Sequence, residues 1–405
     1  MSLAAGFKFL KTRSSVLSWK PTGKLQQTVA DCVERTGRGL HSGDISTVRI
    51  VPEAPRVGRY FSFQSNVIHA SIDNALKETP LCTTLSKDGY SVRTVEHLLS
   101  ALEASGVDNC RIEIEGSGDC DRSVEVPIFD GSAREWVEAI DQAGLKVAVD
   151  LDGKSCEKLA PYLNEPVHVT KNDSFLAAFP CSKVNITYGI DFPQATAIGR
   201  QWFSSTLLDE SFYSKQIASS RTFCIYEEVE HMRNLGLIKG GSSETAIICS
   251  KKEVEKCSWR CCASKGLGVV VLSNGAMFHV PRSKRFMEEM IISSLSYGNG
   301  RREETDAKID KVLMRPGFNW KMDSEGLTGS MSRGWLNPPL RYDDEACRHK
   351  VLDLIGDISL LAQDGNQGLL VAHIVAYKAG HSLHTEFVRC ISEVNVAFAS
   401  EELTT

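Results

Sequence analysis

The sequence predicts a mixed chain of strands and helices arranged in two blocks. Three observations carry that reading. Residues 47–50 and 111–115 alternate apolar and polar side chains with the period of two that a half-buried strand requires. Residues 94–104 instead place Val95, Leu98, Leu99 and Leu102 at helical spacing. The same pairing of periods returns in the second half, after a stretch that reads as a linker. With 405 residues, 42% of them hydrophobic, the chain is long enough for more than one core, and wholesale disorder is excluded.

Taken in order, residues 1–25 read as an address segment and 26–148 as the first block. Its second helix, 133–143, opens after the turn Asp130-Gly131-Ser132. Residues 149–164 read as the linker and 165–400 as the second block. There, 175–179 and 184–190 look like strands flanking a turn. A polar helix is expected at 205–218 and another at 227–235, closed by Gly236. A long helix is expected at 343–362. Pro338 and Pro339 block its extension upstream, Asp343 or Asp344 can cap it, and Asp364-Gly365 ends it. Residues 368–377 read as a buried strand and 383–397 as the last helix. Residues 251–330 break the rhythm. They are basic and irregular, with a strand pattern only at 269–272, and read as a poorly ordered insertion in the second block.

Composition excludes several classes. The 46 basic and 51 acidic residues leave a net charge of −5, without the basic excess of a nucleic-acid binder. The longest apolar run, 368–377, includes a His and is strand-sized, so no transmembrane segment is expected. The 13 Cys are mostly scattered singly, which reads as free thiols in a reducing compartment. Cys257, Cys261 and Cys262 cluster, but their spacing is not that of a zinc module. Residues 1–29 contain no Asp or Glu and carry Lys8, Lys11, Arg13, Lys20 and Lys24, with Leu3, Phe7, Phe9 and Leu10 able to share a helical face. That is the pattern of an organellar transit peptide, here mitochondrial rather than plastid. Nothing points to oligomerisation, so a monomer is the expectation.

Three local patterns carry chemistry. His349, Asp353 and Asp357 recur at four-residue spacing along one face of a helix otherwise filled by Val351, Leu352, Leu354, Ile355 and Ile358. Burying such groups is costly unless a charge answers them, and a divalent metal is one answer. A polar stripe on an amphipathic helix is the competing account. Glu96 and His97 sit side by side at a helix start, where the His could complete a metal site and the Glu could take a proton from water. A core His is the plainer reading of that pair. His381 follows Gly380 at the end of the buried strand, where loops often carry catalytic groups, although a capping or solvated loop His fits as well.

Together these segments resemble one family. TVEHLLSAL (94–102), CRHKVLDLIGD (347–357) and YKAGHSL (377–383) occur in the order and context of the UDP-3-O-acyl-N-acetylglucosamine deacetylases, the zinc amidases of lipid A biosynthesis. TGRGLHSG (36–43), LCTTL (81–85), VPIFDGSA (126–133), SRTF (220–223) and GLIKGGS (236–242) agree as well. With its basic leader, the chain looks like a plant mitochondrial version, which implies the mitochondrial matrix.

The resemblance implies an α+β fold of two similar domains, each a small β-sheet, with the helices packed between the two sheets and the site at their junction. It implies Zn²⁺ held by His97, His349 and Asp353, and Glu96 as general base. His381 would be a cation stabilising the oxyanion and protonating the leaving amine, with Asp357 holding it. Thr222 would donate to the oxyanion. Lys350 would meet the substrate diphosphate and Phe192 the uracil. Phe223 and Leu81 would contact the substrate, and Cys82 would be an extra metal contact under excess zinc. Residues 224–250 would form an apolar passage for the acyl chain. The implied substrate is UDP-3-O-acyl-N-acetylglucosamine, with acetate as one product and no further cofactor. One departure stands out: about 80 residues separate AIICS from SRGWLNPP, which would otherwise join smoothly. An inactive paralogue or a zinc-binding scaffold is therefore the alternative. A scaffold would show a closed set of four ligands.

Overall fold

The computed structural model describes residues 16–77, 81–116, 122–205, 210–251, 334–337 and 339–402, together with strand segments 258–259, 268–271 and 277–280. Two five-stranded sheets dominate. The first comprises β1 (Val33–Arg38), β2 (Ile45–Pro52), β3 (Arg59–Phe63), β4 (Asn66–His69) and β5 (Cys110–Gly116), in the order β1-β2-β5-β3-β4. The second comprises β6 (Val167–Lys171), β7 (Ser174–Pro180), β8 (Asn185–Phe192), β9 (Gly199–Ser205) and β10 (Ala372–Tyr377), in the order β6-β7-β10-β8-β9. In each sheet the last strand inserts antiparallel to the second and parallel to the third. The two halves therefore share one topology, as expected of similar domains. β7 and β8 are not hairpin partners, because β10 lies between them.

Each sheet buries one face. Val48 and Ile50 of β2 and Ile112 and Ile114 of β5 point inward at alternate positions, as do Tyr188 and Ile190 of β8 and Ile374 and Ala376 of β10. Helix α2 (Arg134–Ala143) packs with β1 of the first sheet and against α1 (Glu96–Ala104). α5 (Glu345–Ile358) and α6 (His381–Glu402) pack with the second, after the short α3 (Glu210–Gln216) and α4 (Tyr226–Asn234). α1 lies directly on α5, so the helices sit between the sheets and one continuous apolar core joins both halves. No helix among the described residues is long and apolar enough to cross a membrane.

Several boundaries differ from the sequence reading. Leu17–Leu25 and Glu157–Leu163 form an antiparallel pair. The first lies in the expected address segment and the second in the expected linker. Leu17 and Leu163 are buried, while Lys20 faces outward over the Tyr162 ring. A one-faced strand of this kind shows its lysines to water and imitates a leader in sequence. The rest of the address segment, residues 1–15, lies outside the described residues. Ser205 ends β9 rather than starting a helix, and Asp344 caps α5 by position without accepting a helix amide. The Asp344 carboxylate instead accepts from Arg348 (2.6 Å).

The insertion departs and returns at one place. Cys249 bridges Trp335, the Ser250 N–H donates to the Gly334 carbonyl, and the Leu336 N–H donates to the Ile248 carbonyl. Within it, strands 258–259, 268–271 and 277–280 form an antiparallel sheet. The remainder, including Cys257, Cys261 and Cys262, lies outside the described residues. The described cysteines are free thiols.

A buried carboxylate prepares the start of α1. Glu125 accepts from the His41 ring (2.8 Å), the Thr94 hydroxyl (2.7 Å) and the backbone N–H groups of His41 and Ser42 (3.0 and 2.8 Å). It ties the 36–43 loop to Thr94, whose positive φ of 58° turns the chain into the helix. Burial alone would raise the Glu125 carboxyl, but these donors, the His41 ring foremost, bring its pKa down to about 2. A depressed carboxyl contributes stability above its ordinary value of 4.5 and loses it as pH falls toward 2. Glu125→Gln is therefore expected to cost about 3 kcal/mol at neutral pH, with the deficit shrinking below about pH 4.5. Melting temperatures of both proteins across that range check this, and a pH-independent gap would remove the assignment.

Candidate active site

α5 is apolar enough to be buried almost throughout, and it carries His349 and Asp353 one turn apart into the domain junction. α1 brings Glu96 and His97 to the same place from the other half. The crossing is close because Gly356 has no side chain. A Cβ there would lie 2.1 Å from the Glu96 carbonyl oxygen. The buried Arg221–Glu345 ion pair (2.8 Å) holds the 220–223 segment against the start of α5. Its neighbour Ser220 presents a carbonyl that accepts from His349 Nδ1 (3.0 Å).

The ligand atoms of His97, His349 and Asp353 lie within 4.8 Å of one another, all buried. Asp353 Oδ1 faces His349 Nε2 at 3.3 Å and His97 Nε2 at 3.6 Å, and it has no hydrogen-bond partner among the described residues. A buried anionic oxygen left this way is costly unless a cation answers it. The bond to Ser220 fixes the His349 tautomer so that Nε2 offers its lone pair. Burial, more than any neighbour, brings the His349 pKa down to about 3, so the ring is neutral near pH 7, as a metal ligand must be. The three groups fit a metal with an open position.

Two further titratable groups, Glu96 and His381, stand beside this triad. Glu96 is buried, and its Oε2 accepts from the Thr83 N–H (2.9 Å). Its Oε1 lies 3.9 Å from His381 Nε2. Burial raises the Glu96 carboxyl, and the His381 ring beside it pulls it partly back. His381 Nδ1 donates to Asp357 Oδ2 (2.8 Å), while its Nε2 lies 3.6 Å from Asp353 Oδ2. Burial alone would lower the His381 pKa, but the carboxylates of Asp357, Asp353 and Glu96 outweigh it and hold the value up at about 9.

Leu81, Glu96, His97, Thr222, Phe223, His349, Lys350, Asp353 and His381 all line one cavity of about 180 Å³. Two expected residues stand behind it. Asp357 backs His381, and the Phe192 ring packs edge-on against Phe223 (5.3 Å). Lys350 reaches the cavity with its ammonium on Asp353 Oδ2 (2.6 Å). Cys82 is a correction: it is buried toward Thr84 and absent from the cavity lining, and burial pushes its thiol up to about 11. A larger cleft of about 540 Å³, between Arg56–Arg59 and Ala362–Gly365, contains none of these groups, so size alone does not mark the site. The sequence reading gave no role to Thr83, Tyr188, Ser220 or His384, although Thr83 and Ser220 lie in the quoted segments 81–85 and 220–223. Only His384, three residues after His381 on a helix, left a spacing signal.

The comparisons with known proteins agree with this geometry. A profile of the UDP-3-O-acyl N-acetylglycosamine deacetylase family matches residues 26–260 and 326–393. The chain belongs to this deacetylase family. The interval between the two matched segments falls inside the insertion read from the sequence. Among curated members, "Probable UDP-3-O-acyl-N-acetylglucosamine deacetylase 1, mitochondrial" of Arabidopsis thaliana is 49% identical over 376 residues, covering 93% of this chain and 90% of that one. The UDP-3-O-acyl-N-acetylglucosamine deacetylase of Trichormus variabilis is 34% identical over 372 residues, covering 90% and 98%. That of Thermosynechococcus vestitus is 33% identical over 374 residues, covering 92% and 95%. The deacetylase family thus spans both halves of the chain and every segment that contributes a site residue.

Proposed function

We propose that this chain hydrolyses the acetamide of UDP-3-O-acyl-N-acetylglucosamine to acetate and UDP-3-O-acyl-glucosamine, using Zn²⁺ held by His97, His349 and Asp353. The observation that carries the proposal is the convergence of three buried ligands, a buried carboxylate and an Asp-held histidine on one cavity. When bound, the zinc polarises the amide carbonyl and acidifies the attacking water. Glu96, fixed by Thr83, takes the water's proton. His381 enters as a cation, faces the developing oxyanion and delivers its proton to the leaving amine. Thr222 lines the same wall as a hydroxyl donor to the oxyanion. Lys350 turns from Asp353 toward the substrate diphosphate, Phe223 and Leu81 border the sugar and acyl chain, and Phe192 supports the uracil side. The relatives' names support the substrate, and the Arabidopsis names, together with the basic residues Lys8, Lys11 and Arg13, support a mitochondrial location, within which the matrix is our reading. The reaction is the committed step toward a lipid A-type glycolipid. A scaffold is not favoured, because the triad has three ligands with a general base beside it rather than a fourth ligand.

The test is acetate release by the full chain with zinc content measured alongside. One zinc per chain and turnover that chelation abolishes and zinc restores are expected. A chain lacking 251–330 is expected to behave alike, since the ends of the excursion already touch. Zinc bound at this triad without acetate release would sink the proposal.

A further inference from the structure

Asp357 is shared. Its Oδ2 accepts from His381 Nδ1 and, equally, from His384 Nδ1, both at 2.8 Å. Its Oδ1 accepts from the Thr83 hydroxyl (2.5 Å). His384 is 0% exposed and makes no approach to the cavity. Its Nε2 lies 2.9 Å from the Tyr188 hydroxyl, whose single proton serves either that nitrogen or the Ala379 carbonyl (2.7 Å). Tyr188 is itself buried on the inner face of β8. Asp357, His381 and His384 also lie close enough to suggest a second metal cluster. Direct nitrogen–oxygen bonds of 2.8 Å already occupy the two Nδ1 atoms, so the group is a hydrogen-bonded chain.

We infer that His384 is a positioning residue: it clamps Asp357 from behind, so that the carboxylate presents one fixed lone pair to His381. The inference rests on the deacetylase reading for its kinetic consequences, while its geometry stands apart from it. Without His384, Thr83 is the one anchor of the carboxylate that is independent of His381, because Oδ2 is then held only by the ring it has to orient. Held by Thr83 on one oxygen and His384 on the other, it cannot turn without breaking a buried bond, and such losses are expensive. The rigid sheet, through Tyr188, thereby sets the orientation of a ring that must face the reacting amide. His384 touches neither substrate nor metal ligands, and an Asn there can still offer an N–H to Asp357.

The test compares His384→Leu, His384→Asn and Tyr188→Phe in the full chain. His384→Leu is expected to lower kcat about 10- to 100-fold with KM and zinc content unchanged, as for loss of a residue that orients a reacting group. His384→Asn is expected to recover most of the loss. Tyr188→Phe is expected to lower kcat in the wild-type background and to add nothing to His384→Leu. Proton and nitrogen NMR of histidine-labelled protein reads the geometry without turnover. The His381 Nδ1–H resonance should broaden in His384→Leu and persist in His384→Asn. An unchanged resonance in His384→Leu overturns the inference, as does an equal kcat loss in the Leu and Asn variants. A wild type that binds zinc and releases no acetate refutes the deacetylase reading, and the NMR comparison still decides the clamp. Should His384→Leu fail to fold, Tyr188→Phe carries the same comparison with one hydroxyl removed.

Discussion

Glu96→Gln is expected to lower kcat by about 10²–10⁴-fold, the usual worth of a general base, while the protein keeps its fold and its metal. The substitution is isosteric, and the amide oxygen can still accept the Thr83 N–H that fixes the carboxylate. Glu96 is not among the three buried ligands, so zinc content should stay at the wild-type level. What disappears is a buried acceptor whose own surroundings raise its affinity for a proton. KM should move little, because the change removes an interaction made during proton transfer rather than in binding. Steady-state acetate release and metal content of the purified variant check both halves. A variant within tenfold of wild type would move the base to another group, with His381 the only other buried titratable side chain on the cavity that is not a ligand among the described residues.

Local physics marks only part of the candidate site. His349 and Asp353 interrupt an otherwise apolar helix, whereas Glu96, His97 and His381 each have an equally plain local reading, and their expected roles came from the resemblance of their segments to the deacetylase family. The support behind them was not legible. Tyr188 reaches His384 from a strand far away in the chain, and nothing local marks it. Ser220 acts through its backbone carbonyl, which every residue possesses. The fold shows the same division. Longer elements with clear period, such as α1, α5 and β10, were read to within a few residues. Edge strands such as β1, with Glu34, Thr36 and Arg38 among its six residues, carry too little apolar alternation to be seen. The insertion of β10 between β7 and β8 is a long-range pairing that a reading of neighbouring strands cannot supply.

Gly356→Ala is expected to destabilise the protein by about 1–3 kcal/mol and to lower its affinity for zinc together with its activity. Helix propensity argues the other way, since Ala in a helix interior is favoured over Gly by about 1 kcal/mol. Packing decides the sign. The added Cβ would lie 2.1 Å from the Glu96 carbonyl oxygen, 2.9 Å from its carbon and 3.1 Å from the Glu96 Cα. All three are backbone atoms, so no side-chain rotation relieves the clash and α5 must move away from α1. His97 rides on α1, whereas His349 and Asp353 ride on α5, so the same movement spreads the ligand set. Binding and stability should therefore fall together, with Tm lower by roughly 1–5 °C. This differs from Glu96→Gln, where activity falls alone. A melting curve and a zinc titration on the variant distinguish the outcomes. A higher Tm with zinc affinity retained would mean that the helices have slack at this crossing. The metal geometry would then have to be set by the Arg221–Glu345 and Ser220–His349 contacts, which hold α5 from its other end.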